Sequence, residues 1–128
     1  MKACKIIGRI LLLLILIAAM TSCISSNPIV QVYSGPKLER AEIARITMDP
    51  TLGVRYVNRS DPLPSATMRT MTLELLPGKY IIQLWYDDGY QFSDYDQEVM
   101  LFAEAGKSYH IYDGAGGGSW APYYEQKY

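Results

Sequence analysis

Apolar and polar residues alternate along most of the chain from residue 29 onward. In residues 79–86 every second position shares one face, which carries Tyr80, Ile82, Leu84 and Tyr86. Because successive side chains of a strand point to opposite sides of a sheet, this pattern predicts a half-buried strand. The same alternation, bounded by turn residues, predicts further strands over residues 29–33, 42–48, 53–58, 67–76, 97–104, 108–112 and 120–125.

Strand parity also predicts which side chains of the other strands share a face. These sets are Ala44, Ile46 and Met48; Val54 and Tyr56; and Met71, Leu73 and Leu75. In the last strands of the pattern, Val99, Leu101 and Ala103 and then Tyr109 and Ile111 are expected to face inward. Pro77 and Gly78 are typical of a tight turn and predict a hairpin between residues 67–76 and 79–86. Residues 87–96 are expected to form a polar hairpin tip, and residues 113–118 a Gly-rich loop.

Many short strands, with turns at intervals of about eight to twelve residues, predict an all-β fold. We expect a seven- to eight-stranded antiparallel β-sandwich over residues 29–128. The segments YSGP (33–36), LLPGKY (75–80) and AEAGKSY (103–109) resemble those of small, uncharacterised Gram-negative lipoproteins with a prealbumin-like domain, of the transthyretin or carboxypeptidase-regulatory kind. That resemblance implies the sandwich but no activity, since these segments mostly encode turns.

The N-terminal region lacks this alternation. Residues 10–20 form an unbroken run of eleven apolar residues after Lys2, Lys5 and Arg9. Such a run fits the apolar part of a signal peptide and is shorter than the roughly 20 residues of a membrane-spanning helix. The following Met20-Thr21-Ser22-Cys23 resembles the lipobox of bacterial lipoprotein signal peptides, although Leu is commoner than Met at the first position.

The lipobox resemblance implies a helical signal peptide, residues 1–22, that is cleaved, and a lipidated Cys23 followed by a tether up to residue 28. Acyl chains on Cys23, palmitate among them, would hold the protein on the membrane. Ile24 stands where Asp would retain a lipoprotein in the inner membrane under the enterobacterial sorting rule. We therefore expect a periplasm-facing protein of the outer membrane. The alternatives are an ordinary secretory signal or an uncleaved anchor.

Charge and side-chain chemistry exclude several functions. The net charge is −1, and removal of the signal takes away three basic residues and no acidic one. Without a basic patch, nucleic-acid binding is not expected. His110 is the only histidine, and its strand parity predicts a solvated position without a nearby nucleophile. Zinc is not expected with one His and one lipidated Cys, so we predict no catalytic residue, no cofactor and no enzymatic activity.

Acidic residues gather around the predicted hairpin tip. They are Asp87, Asp88, Asp94, Asp96 and Glu98. Oxygen-rich loops can bind calcium, but the spacing of an EF-hand is absent. The pattern favours a solvated loop that discourages edge-to-edge association, and calcium remains the alternative.

An apolar stripe falls on the outward face of the same predicted hairpin. It consists of Ile81, Trp85, Met100 and Phe102. Pairing Ile82 with Leu101 would place Ile81 opposite Phe102. The cover of this stripe is a partner protein, the membrane or the C-terminal segment with Trp120, Tyr123 and Tyr124.

Together these patterns predict a non-enzymatic binding or structural module on the outer membrane. The alternative is an accessory lipoprotein subunit of a cell-envelope or secretion assembly, and a hydrolase is a more distant third. The sequence itself identifies no ligand and no protein partner.

Overall fold

A computed structural model describes residues 27–59, 71–116 and 119–128. The predicted signal helix and the beginning of the strand predicted over residues 67–76 lie outside these residues. The described part is all-β, as predicted, with eight strands in two sheets and no helix. The strands are β1 (Ile29–Gln31), β2 (Ala44–Met48), β3 (Leu52–Val57), β4 (Thr72–Leu75), β5 (Gly78–Tyr86), β6 (Gln97–Ala103), β7 (Ser108–Tyr112) and β8 (Tyr123–Lys127).

The two sheets differ in size and in strand direction. The five-stranded sheet has the order β1-β4-β2-β7-β8, and the three-stranded sheet has the order β3-β5-β6. Strand β1 is parallel to β4 and β2 is parallel to β7, whereas the other pairs are antiparallel. The expectation of a purely antiparallel sandwich was therefore wrong. Parallel neighbours need a connection that leaves the pair, and here the chain between β2 and β7 includes all three strands of the other sheet.

The turn at Pro77 and Gly78 is a corner between the sheets and not a hairpin turn. Strand β4 belongs to the five-stranded sheet, whereas β5 belongs to the three-stranded sheet. Gly78 is already the first residue of β5, where it pairs with Ala103 at a φ of +155°. Turn residues report a local change of direction, but they do not report which strand the following residues will pair with.

The core lies between the two sheets and contains the apolar sets that strand parity places on one face, with one exception in β3. Almost no surface is exposed at Ala44, Ile46, Met48, Met71, Leu73, Leu75, Ile82, Leu84, Val99, Leu101, Ala103, Tyr109 and Ile111. Tyr80 and Tyr86 are half-buried and pack against this cluster. Alternation therefore predicted the buried face correctly in β2, β4, β5, β6 and β7.

Strand β3 contains an irregularity that reverses its faces. The pairing of β3 with β5 shifts register between Val54 and Tyr56. Because a β-bulge adds one residue to one strand, side chains beyond it exchange faces. Val57 is accordingly buried like Val54, whereas Tyr56, predicted to share a face with Val54, is only half-buried.

Glu74 is the one fully buried charged side chain among the described residues. Parity predicted it on the polar face of β4, opposite the core. Arg45, its cross-strand partner in β2, forms an ion pair with it in which Nη2 and Oε1 are 2.9 Å apart. The connection between β1 and β2 runs along this face, since Arg40 donates a hydrogen bond to Ser108 Oγ in β7 (2.6 Å).

Candidate functional site

Three connections meet at one end of the sandwich, which we call the loop end. They comprise residues 49–51, 87–96 and 113–122. The Asp87 amide donates to the Thr51 carbonyl (2.8 Å) and the Thr51 hydroxyl to Asp113 Oδ2 (2.7 Å). The Asp113 amide in turn donates to Asp49 Oδ2 (3.0 Å). These bonds join both sheets and hold the three connections in fixed relative positions.

A cavity of about 590 Å³ opens at the loop end between residues 87–96 and 113–120. Its aromatic lining comes from Tyr86, Phe92, Tyr95 and Trp120, and its polar lining from Gln91, Ser93, Asp94 and Ser119. This volume and this mixture of aromatic walls with a few polar groups are typical of small-molecule sites. We call it the loop-end pocket.

Three of the aromatic rings form one wall of the loop-end pocket. The ring centroid of Trp120 lies 5.8 Å from that of Tyr86 and 6.4 Å from that of Tyr95, and both pairs are inclined by only 29°. Carbon atoms in contact are about 3.5–4.0 Å apart. Because the centroid distances are larger than this, the nearly parallel rings of each pair are laterally offset. Trp120 is 7% exposed and anchors the wall in the core, whereas Tyr95 is 54% exposed.

Trp120 carries a polar atom without a partner. Its indole Nε1 is buried and has no hydrogen-bond acceptor among the described residues. An unpaired buried donor costs about 1–3 kcal/mol relative to a paired one. This cost is offset by burial of a large aromatic ring against Tyr86 and the core.

The hairpin tip beside the pocket is ordered by its own carboxylates. Asp88 Oδ1 accepts hydrogen bonds from the amides of Gln91 (2.7 Å) and Tyr90 (2.8 Å). These two bonds hold the pKa of Asp88 below its usual value, so the carboxylate stays charged. Ser93 closes the tip, because its hydroxyl accepts from the Tyr86 amide (3.0 Å).

Negative charge surrounds the pocket. Burial raises the pKa of the Tyr86 phenol, and Asp88, Asp113 and Asp87 raise it further, Asp88 through both its hydrogen bond and its charge. Asp94 contributes a carboxylate to the lining itself, and the described lining contains no basic side chain. The field at the pocket therefore favours cations over anions.

The predicted calcium ligands do not converge on one point. Asp96 forms an ion pair with Arg55 (2.7 Å), and Glu98 lies 3.3 Å from Arg59. Asp87 accepts from the Gly89 amide (2.7 Å) while Asp88 caps the tip, and Asp94 lines the pocket. In residues 27–59, 71–116 and 119–128, no group of three or more potential metal ligands is positioned to hold an ion.

His110 is half-buried and hydrogen-bonded, in contrast to the predicted solvated side chain. Its Nδ1 lies 2.8 Å from Thr47 Oγ1, and its Nε2 lies 3.0 Å from Asp49 Oδ1. The parallel register of β2 and β7 brings these three side chains together. The sequence could not indicate this cluster, because it gave no sign that β2 and β7 are neighbours. None of the three residues lines the loop-end pocket.

The apolar stripe faces outward from the three-stranded sheet, as parity predicted. Met100 is 50% and Phe102 is 59% exposed, whereas Ile81 and Trp85 are half-buried. The predicted register was wrong by two residues. Ile81 lies opposite Met100, and Lys79 lies opposite Phe102 with its Nζ 5.9 Å from the ring centroid.

The C-terminal segment does not cover this stripe. Strand β8 pairs with β7 at the edge of the other sheet, and Tyr123 stacks on Tyr112 there. Trp120 belongs to the wall of the loop-end pocket, and Tyr124 packs against the core. Of the three alternatives for the cover, the structure therefore does not support the C-terminal segment.

Trp85 is partly covered by strand β3 and by the tip of its own hairpin. Its ring lies across Gly53, its cross-strand partner in β3, so closely that a Cβ atom at this position would overlap the indole. Phe92 of the hairpin tip also packs against the indole, with the ring centroids 5.5 Å apart. Among the described residues of the stripe, Met100 and Phe102 are therefore the most exposed.

Residues 1–26, including Cys23, lie outside the described part of the chain, and lipidation stays a prediction. Within the described part, no helix is long and apolar enough to cross a membrane. A functional proposal therefore rests on the geometry of the loop-end pocket. Comparisons of this chain with protein-family models, with curated proteins and with solved structures gave no match.

Proposed function

We propose that the protein is a lipid-anchored module of the cell envelope that binds a small ligand, without chemical conversion, in the loop-end pocket. The observation that carries the proposal is the cavity of about 590 Å³ with its wall of Tyr86, Trp120 and Tyr95. Both flanking connections are tied to the sheets by the hydrogen bonds of Thr51 and Asp113. A pre-formed cavity of this kind loses little conformational entropy when a ligand binds.

The direction of β1 supports a pocket that lies close to the membrane. Strand β1 is parallel to β4, which is antiparallel to β2, so β1 begins where β2 ends, at the loop end. Cys23 precedes Asn27 by four positions, which even an extended chain spans in at most about 14 Å. Acyl chains on Cys23 would therefore hold the loop end within a short distance of the bilayer.

Exposed aromatic residues at the loop end fit the same orientation. Tyr90 is 98% and Phe92 is 61% exposed, and both belong to the hairpin tip that borders the pocket. Tyrosine and other amphipathic aromatic side chains are favoured at the level of lipid headgroups. With Ile24 after the lipidated cysteine, we propose the periplasmic face of the outer membrane as the location.

Replacement of Cys23 by alanine should abolish lipid attachment and release or mislocalise the protein. The physical reason is that each buried CH₂ of an acyl chain contributes about 0.8 kcal/mol to membrane affinity. Incorporation of radiolabelled palmitate and the distribution between membrane and soluble fractions measure this effect. Cys4→Ala is the matched control, because Cys4 lies within the predicted signal peptide and should leave labelling unchanged. Normal palmitate incorporation into Cys23→Ala would refute the anchoring.

A second candidate function is that of an accessory subunit in an envelope assembly. It is favoured by the outward stripe, where the adjacent Met100 and Phe102 side chains are half or more exposed. Exposed apolar neighbours of this kind often contact another protein, and aromatic anchors dominate the energy of many interfaces.

A photo-crosslinking amino acid at position 102 should capture a specific envelope protein if this second function holds. The matched control is position 125, since Glu125 is exposed on β8 of the other sheet. Crosslinked products can be compared in intact cells after gel separation. A discrete product at position 102 and none at position 125 supports the subunit function. Equal products at both positions, or none at either, would count against it.

A further inference from the structure

We propose that the loop-end pocket binds an organic ammonium group. This inference rests on the proposed function, in which the loop-end pocket is the binding site. It adds the chemical class of the ligand, which neither the fold nor the lipid anchor specifies. A positively charged nitrogen with attached carbon atoms has the two properties that the lining can recognise.

The aromatic wall provides the first part of the recognition. Cations are attracted to the faces of Trp and Tyr rings because these faces carry the negative part of the ring quadrupole. Trp120, Tyr86 and Tyr95 all line the cavity, and Trp120 stacks on each of the other two rings. The alkyl groups of an organic ammonium ion bury apolar surface against the same rings, which a hydrated inorganic cation cannot do.

Fixed negative charges provide the second part. Asp94 lines the cavity, and Asp88 accepts a hydrogen bond from the Tyr86 hydroxyl (3.1 Å) next to it. Asp113 lies outside the lining and accepts hydrogen bonds from the Thr51 hydroxyl and from the amide of Ala115, which borders the pocket. A ligand without a positively charged group would gain nothing from these charges, and a ligand with a net negative charge would be repelled.

The remaining lining fits the uncharged part of such a ligand. Gln91, Ser93 and Ser119 offer amide and hydroxyl groups at the same cavity. These groups can bond to a hydroxyl or phosphate ester carried by the ligand, as in choline or ethanolamine derivatives. An ammonium group of this type could come from a free small molecule or from a phospholipid headgroup in the nearby bilayer.

Isothermal titration of the full lipidated protein in uncharged detergent tests the class of ligand. Choline is compared with 3,3-dimethylbutan-1-ol, which has the same shape but a carbon atom in place of the charged nitrogen. We expect choline to bind at least about tenfold more tightly, because both the aromatic faces and the carboxylates select for charge. Equal affinity for the two compounds, or no saturable binding of choline, would overturn the proposal.

Two variants locate the binding at this pocket without disturbing the core. Asp94→Asn should weaken choline binding about threefold to tenfold, since it removes charge and preserves shape. Tyr95→Leu should weaken it by a similar factor, whereas Tyr95→Phe should retain most of the affinity because the ring remains. Glu104→Gln removes an exposed charge that lies outside the lining and serves as control. Wild-type affinity in both Asp94→Asn and Tyr95→Leu would refute the assignment to this site.

Vesicles distinguish the two sources of the ammonium group. The protein is anchored in phosphatidylglycerol or phosphatidylcholine vesicles, and Trp120 fluorescence is followed in a Trp85→Phe background. If a headgroup is the ligand, added choline changes the fluorescence only in phosphatidylglycerol vesicles, because phosphatidylcholine already fills the pocket. If a free small molecule is the natural source, added choline changes the Trp120 fluorescence in both kinds of vesicle. The tests of anchoring and of ligand class are independent. Normal lipid labelling of Cys23→Ala would refute the anchoring, but it would not change the choline affinity measured by titration in detergent.

Discussion

Replacement of Arg45 by methionine should destabilise the fold by roughly 2–4 kcal/mol. Removing one partner of a buried ion pair typically costs about 3–5 kcal/mol, because the other charge remains buried without compensation. The lower range applies here because the Arg45 side chain is 36% exposed, whereas that of Glu74 is 1% exposed. Urea unfolding followed by circular dichroism measures the difference in free energy of unfolding.

The double variant Arg45→Met/Glu74→Met separates pairing from packing. Replacement of both charges by apolar side chains of similar size is often close to neutral, so the double variant should recover most of the lost stability. Arg59→Met is the matched control. Arg59 and Glu98 also form an ion pair, but their side chains are 71% and 42% exposed, so the loss should stay below about 1 kcal/mol. An equal loss in Arg45→Met and Arg59→Met would mean that burial of Glu74 is without energetic consequence.

Gly53→Ala is expected to destabilise the fold by about 1–3 kcal/mol, the usual cost of overpacking a filled site. The Trp85 indole occupies the space that the new methyl group needs, so the ring must leave the face of β3 and its contact with Phe92. Thermal unfolding and near-ultraviolet circular dichroism, which reports tryptophan packing, measure the two consequences.

Gly116→Ala provides the control for the Gly53 variant. No atom lies within 4 Å of a Cβ atom at Gly116, and its φ is not positive, so its stability should change by less than about 0.5 kcal/mol. A further variant, Gly53→Ala/Trp85→Leu, removes the obstructing ring and should lose less than the two single changes together. Additive losses would show that the alanine methyl and the indole do not compete for space.

The faces of individual strands were predictable from the sequence, because each depends only on neighbouring residues. Ile82 and Leu84 are buried as their alternation predicts, and Met100 and Phe102 are exposed. Parity failed at Tyr56, where a bulge adds a residue that no local pattern marks. The two-residue error in the pairing of Ile82 preserved every face, because side chains repeat with a period of two.

Contacts between distant parts of the chain could not be predicted in this way. Trp120 was one candidate cover of the outward stripe, but it packs against Tyr86 and Tyr95 because β8 joins the five-stranded sheet. The cluster of His110 with Thr47 and Asp49 likewise depends on the parallel pairing of β2 with β7. Both sites are formed by the order of strands in the sheets, which alternation does not encode.

The parallel pairing of β2 with β7 also constrains the order in which the protein can fold. Thr47 and His110 face each other across this pair although they are 63 positions apart, whereas Gln83 and Asp96 of the β5–β6 hairpin are only 13 apart. Chains rich in distant pairings fold slowly, because a long loop must close before the contacts form. During synthesis from the N-terminus, β2 therefore lacks one of its two neighbouring strands until β7 has been made. The hairpin can form first, and the five-stranded sheet is completed only when nearly the whole chain is available.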